Sequence, residues 1–136
     1  MGIYTACRFT ERTENAMSDY EKQKYRIYQV DMENDTERLA FMEYDFLKSK
    51  GYEQPPAGCY RLVYESETES EQPDKSLEIL FQTFNLVPPK DYRDRSMSVS
   101  DIVEFYGNGK REFYFCDSLG FKSVNFDADQ ALPRVD

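Results

Sequence analysis

The chain has 136 residues, the length of a single domain with its own hydrophobic core. Its 26 Asp and Glu residues outnumber its 17 Lys and Arg residues, and without His the formal net charge is -9 at pH 7. This charge disfavours direct binding to nucleic acid or to an anionic membrane, because both recruit proteins through Lys and Arg. It favours a basic surface on another protein as the partner.

The cysteines and the start of the chain indicate a cytoplasmic location. Cys7, Cys59 and Cys116 are widely and irregularly spaced, so neither a disulfide framework nor a Cys-based metal site is expected. The first ten residues lack the features of a signal peptide, and no apolar run approaches the length of a membrane span.

The first predicted strand covers residues 25–30, which are rich in β-branched and aromatic side chains. The residues before it are polar and poorly periodic. We therefore expect an N-terminal arm or linker over 1–23 and one folded domain over 24–136.

A first helix is predicted after this strand. Asn34 and Glu37 have the spacing of a capping box, and Gly51 suits the left-handed conformation that ends a helix. Between them, apolar residues recur at helical spacing. The expected apolar face consists of Leu39, Met42, Phe46 and Leu47.

A second strand is predicted over residues 59–64, and an acidic tract follows over 65–71. The tract has Glu at every second position and no apolar residue, so we expect a solvated connection and not a buried element. If the tract is extended, its carboxylates line one side, as the charges of a nucleic-acid backbone do.

A second helix is the clearest local signal in the sequence. Asp74 or Ser76 is expected to cap its start, and Pro88 and Pro89 prevent its continuation. Its apolar residues share one face at spacings i, i+3, i+4 and i+7, namely Leu77, Leu80, Phe81 and Phe84.

Three more strands complete the chain. Residues 102–106 and 112–116 flank an Asn-Gly turn, which is a hairpin signal, and another strand starts at Gly120. The order of elements predicts the α+β class, with an antiparallel or mixed sheet of about five strands and two helices packed on one face.

The sequence offers little support for catalysis. Without His, the usual Ser-His-Asp and Cys-His arrangements are impossible, and no Gly-rich phosphate loop is present. The pairs Asp91 with Asp94 and Asp127 with Asp129 suit a divalent cation, but such pairs are common in acidic loops. Cys116 has no neighbouring base to activate it. We expect no enzyme, no metal and no cofactor.

The acidic surface is the candidate binding feature. Carboxylates of the tract and of the loop after the second helix would contact a basic protein partner. The alternative is that acidity keeps an aromatic-rich chain soluble and that the tract is a flexible loop. The candidate partner-binding residues are Glu65, Glu67, Glu69, Glu71, Asp91 and Asp94.

Two strings of sequence resemble a known family. Residues 95–103 read Arg-Ser-Met-Ser-Val-Ser-Asp-Ile-Val, and residues 114–121 read Tyr-Phe-Cys-Asp-Ser-Leu-Gly-Phe. Both resemble the YodL-like domain of Firmicutes, in its run of hydroxyl residues before Ser-Asp-Val-Val and its Asp-Ser-x-Gly-Phe segment. Ile102 and Cys116 depart from the family pattern in ways that the same structure accommodates.

The motif residues have an evident structural use, since hydroxyls and short carboxylates satisfy backbone groups at turns and strand ends. We expect them to hold two loops together near one edge of the sheet. These residues are Ser96, Ser98, Ser100, Asp101, Asp117, Ser118, Gly120 and Phe121.

The resemblance implies a habitat in mobile genetic elements, close to antirestriction proteins, with no established activity. With the charge, it leads to the hypothesis of an inhibitor that occupies the nucleic-acid-binding groove of a restriction or CRISPR nuclease. One alternative is a regulatory domain that binds a non-defence host protein. The other is an enzyme of unfamiliar type that uses Asp101, Asp117, Ser98 and Ser100.

Overall fold

The structure of the protein, a computed structural model, describes residues 23–68 and 73–135. Its centre is a five-stranded antiparallel sheet with strand order β2-β1-β3-β4-β5. The strands are β1 (Gln23–Val30), β2 (Tyr60–Thr68), β3 (Ile102–Gly107), β4 (Lys110–Asp117) and β5 (Gly120–Val124). Two α-helices accompany the sheet in these residues, α1 (Tyr44–Ser49) and α2 (Pro73–Leu86). The predicted α+β class, with five strands and two helices, is confirmed.

The β3–β4 hairpin forms where the Asn-Gly signal places it. Asn108 has φ of 52° and Gly109 has φ of 78°, so both central residues of the turn adopt the left-handed conformation. Such turns match the twist of the flanking strands, which is why Asn-Gly is favoured there. The hairpin therefore needs no tertiary contact to select its register.

Helix α2 ends before Pro88, as predicted. The predicted apolar face is confirmed for Leu77, Leu80 and Phe84, which are buried, and was wrong for Phe81, which is 40% exposed. The expected cap was wrong, because the helix begins at Pro73, which places Asp74 and Ser76 within its first turn. Proline is favoured at this first position, because the N–H group that proline lacks would have no hydrogen-bond partner within the helix there.

Helix α1 is shorter than predicted and begins ten residues after Asn34. The carboxylate of Asp35 accepts hydrogen bonds from the backbone N–H groups of Leu39, at 2.8 Å, and Ala40, at 3.0 Å. These local bonds compete with helical ones, and φ at Phe41 is 69°. The capping-box prediction was wrong, whereas Gly51 does end the helix with φ of 96°.

The acidic tract is not a solvated connection throughout. Residues 65–68 extend strand β2 and pair with the start of β1, so that expectation was wrong for this half of the tract. Glu69 and Glu71 lie outside the described residues. The predicted N-terminal arm lies outside them too, except for Gln23, which begins β1.

The core has two parts, one on each face of the sheet. Val103 and Phe105 of β3 belong to the cluster that contains the buried side chains of α2. Ile102, which points to the opposite face, belongs to the cluster that contains Leu47 of α1. The two helices therefore cover opposite faces, and the prediction that both pack on one face was wrong. Neither described helix is long and apolar enough to cross a membrane.

Candidate functional site

A buried carboxyl group, Asp101, lies directly before β3 and is 0% exposed. Its Oδ2 atom accepts hydrogen bonds from the backbone N–H of Ser98, at 2.9 Å, and from Gln29 Nε2, at 3.0 Å. Arg95 Nη2 lies 3.5 Å from Oδ1. Burial outweighs these favourable contacts and raises the pKa of Asp101 to about 7.

The neighbouring Ser100 fastens the irregular segment before α1 to the sheet. Its Oγ atom accepts from the backbone N–H of Phe41 at 3.0 Å, and its carbonyl oxygen accepts from the Tyr60 hydroxyl at 2.7 Å. Ser100 N–H donates to the carbonyl of Cys116 at 2.9 Å, and Cys116 N–H donates to the carbonyl of Asp101 at 2.8 Å. The motif thus continues the β3–β4 pairing to the residues before the start of β3.

Asp117 has a similar role at the same end of the hairpin, where β4 ends. Its Oδ1 atom accepts from the backbone N–H of Ser118, at 2.9 Å, and from that of Tyr44, at 3.3 Å. Lys122 Nζ lies 3.7 Å from Oδ2. Together, Ser100 and Asp117 hold the chain between β1 and α1 against the sheet.

The remaining motif residues differ in their surroundings. Ser96 is exposed, whereas Ser98 has a buried Oγ atom with no hydrogen-bond partner among the described residues. Gly120 has φ of 128°, which suits the turn into β5. Phe121 packs edge-on against Phe81 of α2, with ring centroids 6.4 Å apart.

A cleft of about 290 Å³, here called the Gln29 cleft, opens beside the Asp101 carboxyl. It lies where β1 ends and β2 begins, and the loop before the serine motif forms one wall. Gln29 Oε1 and Arg95 Nε are buried there without a hydrogen-bond partner in the described part of the chain. The charged residues that line the cleft are Asp31, Glu33, Arg61, Asp94, Arg95 and Arg134.

The predicted partner-binding carboxylates that the structure describes do not form one surface, and Glu69 and Glu71 lie outside the described residues. Glu65 accepts from Arg26 Nε at 2.7 Å and from the Tyr106 hydroxyl at 2.8 Å, on the face that α1 covers. Asp91 accepts at 2.8 Å from the hydroxyl of Tyr64, which belongs to the cluster on the α2 face. Asp94 lines the Gln29 cleft.

Sequence reasoning missed Glu104, a fully buried carboxylate in the middle of β3. It accepts hydrogen bonds from the Tyr28 hydroxyl, at 2.7 Å, from Arg111 Nε, at 2.7 Å, and from Arg26 Nη1, at 3.3 Å. This network joins β1, β3 and β4 on the face that α1 covers. The sequence signal that could have revealed this residue is a Glu in the middle of the predicted strand, between the apolar residues Val103 and Phe105.

The model of the YodL-like domain family matches residues 24–126. The chain belongs to this family. The matched part of the YodL-like domain runs from the start of β1 to Phe126 and includes both sequence motifs, Glu104 and the floor of the Gln29 cleft. Arg134, which also lines the cleft, lies beyond the match. No curated protein and no solved structure gives a significant match.

Proposed function

We propose that this YodL-like domain is an acidic module that binds a basic surface of another protein and catalyses no reaction. The net charge of -9 is the observation that carries the proposal. Exposed carboxylates on β2, on β4 and in the loop after α2 contribute to it, namely Glu67, Glu112, Asp91 and Asp94. A field of one sign accelerates association with a surface of the opposite sign.

The positions of the reactive groups also support binding over catalysis. Asp101 and Ser100 are 0% exposed and hydrogen-bonded to backbone groups of neighbouring loops. Asp117 is engaged in the same way by two backbone N–H groups. These side chains have a sufficient role in the fold, because each satisfies backbone donors that a loop would otherwise leave unpaired.

We further propose that the partner is a host defence nuclease whose nucleic-acid-binding groove the domain occupies. Side chains two apart on a strand lie about 7 Å apart on one face, so the Glu65 and Glu67 side chains start a regular row of negative charge. The resemblance also implies a habitat in mobile genetic elements, and this is the second ground for proposing a defence nuclease as the partner.

The test has two steps. The full chain is first used as bait in a bacterial lysate that contains restriction and CRISPR systems, at low and at high salt. The proposal predicts capture of a nuclease at low salt and its loss at high salt, because exposed charges are screened. The purified nuclease is then mixed with fluorescent double-stranded DNA. The chain should displace the DNA competitively, and a nuclease that binds both together contradicts the groove proposal.

A second candidate, a regulatory domain that binds through apolar contacts, has its own observation. Leu86 is 76% exposed and Val87 is 77% exposed at the end of α2, and Leu119 is fully exposed at the β4–β5 turn. Such contacts are not screened by salt. Capture of a partner other than a nuclease, undiminished at high salt, supports this function in place of the first.

A further inference from the structure

The Gln29 cleft contains a polar group that has no hydrogen-bond partner within residues 23–68 and 73–135. Gln29 is 1% exposed, and its Nε2 atom faces Asp101 Oδ2 and the carbonyl oxygens of Arg95 and Ser96, at 3.0 to 3.4 Å. These three acceptors fix the orientation of the amide. The amide oxygen Oε1 is therefore the atom without a hydrogen-bond partner in the described residues. A buried acceptor that is left unpaired lowers the stability of the fold by about 1–3 kcal/mol.

Arg95, which also lines the cleft, provides an unpaired donor among the described residues. Its Nε atom is buried and has no partner in the described residues, although the side chain as a whole is about a quarter exposed, at 27%. Its other contacts are long, since Nη1 lies 3.4 Å from the Val30 carbonyl oxygen and Nη2 lies 3.5 Å from Asp101 Oδ1. The usual distance is about 2.9–3.0 Å, so these two hydrogen bonds are weak. The guanidinium also lies over the Phe41 ring, 5.1 Å from its centroid. Because Arg95 Nε and Gln29 Oε1 are both buried, a ligand reaches them only when the Arg95 side chain moves.

The acceptor and the donor together define the ligand. A ligand that satisfies both presents an N–H and a carbonyl oxygen, as a peptide group does. Glu33 and Asp94 are exposed at the cleft and favour a basic side chain on that ligand. The two other arginines are engaged elsewhere, because Arg61 bonds Asp31 and the Pro133 carbonyl and Arg134 lies over the Tyr64 ring.

The neighbourhood of the cleft suits an extended chain. Leu132 pairs in parallel with the start of β2, since Leu62 N–H donates to its carbonyl at 3.0 Å and its own N–H donates to the Tyr60 carbonyl at 2.8 Å. An extended segment thus already lies beside the edge strand next to the cleft. A nucleobase also has donors and acceptors, but its phosphates are repelled by an acidic domain.

We propose that the Gln29 cleft binds a short basic peptide segment of the protein partner. A main-chain N–H of that segment donates to Gln29 Oε1, a carbonyl oxygen accepts from Arg95 Nε, and a Lys or Arg side chain approaches Glu33 and Asp94. The cleft volume of about 290 Å³ suits a segment of one or two residues. This inference rests on the proposed function in that it specifies where a basic partner is held.

The experiment uses the full ¹⁵N-labelled chain and an acetylated, amidated Gly-Lys-Gly tripeptide as the probe. The side-chain signals of Gln29 and of Arg95 Nε–H are followed by NMR during the titration. We expect both signals to shift in a saturable manner, with the Arg95 signal moving downfield as it gains an acceptor. The matched Gly-Glu-Gly tripeptide should bind at least several times more weakly.

Three results overturn the inference. The first is the absence of any shift at millimolar Gly-Lys-Gly, in which case water alone satisfies the two atoms. The second is equal binding of the two tripeptides. The third is a saturable shift with adenosine in place of the tripeptides, which assigns the cleft to a nucleobase.

Variants test the contacts that the cleft is proposed to make with the tripeptide. Asp94→Asn should weaken Gly-Lys-Gly binding about 2–5-fold, as loss of an exposed ion pair does, whereas Glu78→Gln on the outer side of α2 should leave it unchanged. Gln29→Met should weaken it about 5–10-fold. If Gln29→Met does not fold, Asp94→Asn still decides the outcome. Salt-sensitive capture of a partner without tripeptide binding refutes the cleft inference and leaves the proposed function standing.

Discussion

Replacement of the buried Asp101 by Asn changes how the stability of the domain depends on pH. Asn places its Oδ1 atom where Asp101 Oδ2 accepts from Ser98 N–H and Gln29 Nε2, so both hydrogen bonds are kept. The variant loses only the titrating group and its contact with Arg95, which is long at 3.5 Å. The comparison therefore isolates the free energy of burying one charge.

The sign follows from the pKa of Asp101, which is about 7 in the fold and 3.8 ordinarily. Between these values the folded protein binds more protons than the unfolded chain, so rising pH lowers the free energy of unfolding. The contribution is fully present below pH 3.8 and is lost as the pH rises through about 7. Each pH unit in this window corresponds to about 1.4 kcal/mol, or about 2 kcal/mol between pH 5.5 and 7.

Urea unfolding between about pH 5.5 and pH 8 measures this effect. The whole range lies above the isoelectric point of 4.6, so the protein keeps a net negative charge throughout. Relative to the wild type, Asp101→Asn should gain about 2 kcal/mol across the range. Ser98→Ala removes the unpartnered hydroxyl beside the same carboxyl without changing a titratable group. It should keep the wild-type pH profile. Parallel profiles for the wild type and Asp101→Asn would show that burial does not shift this pKa.

Three further predictions concern the core. Glu104→Gln removes the negative charge that Arg26 and Arg111 share and should lower the free energy of unfolding by about 1–3 kcal/mol in urea. Phe84→Ala, at a residue 1% exposed, should cost about 3–5 kcal/mol in the same assay. Cys116 should not react with a disulfide reagent at pH 8 in the folded protein, because burial raises the pKa of its thiol to about 12.

Each of these predictions has a matched control. Glu112→Gln is an exposed substitution on β4 and should change stability by less than about 0.5 kcal/mol. Leu86 lies on α2 but is 76% exposed. The substitution Leu86→Ala should therefore also change stability by less than about 0.5 kcal/mol. In a variant whose Cys7 is replaced by Ser, Cys59 should react faster than Cys116, because it is less buried. Equal effects of a buried substitution and its control contradict the corresponding prediction.

The elements predicted correctly are those with a complete local signal. Helix α2 has its apolar face and the prolines that end it within one stretch of sequence, and the β3–β4 turn has Asn108 and Gly109. Neither needs a distant residue to select its conformation. The order of these elements was enough to predict the class of the fold.

The elements predicted wrongly depend on distant residues. The segment before α1 resembles a helix by spacing, but Asp35 bonds its backbone and Ser100 Oγ takes the N–H of Phe41. The first half of the acidic tract is a strand because β1 pairs with it, and Arg26 and Lys24 stand opposite Glu65 and Glu67. Such cross-strand neighbours stabilise carboxylates that look like a solvated loop in the sequence.

The candidate site was predictable only in part. The serine motif was recognised as a structural device, yet its central contact comes from Gln29, 72 residues before Asp101. The Gln29 cleft joins residues from β1, from the start of β2 and from the loop after α2. A sequence pattern does not show such a junction, because its members share no spacing.

The most direct test of binding through acidic groups uses two exposed carboxylates, Glu67 on β2 and Asp94 at the Gln29 cleft. Affinity for the protein captured at low salt is measured by titration calorimetry for the wild type, for the double variant Glu67→Gln with Asp94→Asn, and for Glu78→Gln as the control. The affinity of the double variant should be about 2–20-fold weaker, and that of the control should be unchanged. Equal affinity of all three proteins would contradict binding of the partner through these exposed carboxylates.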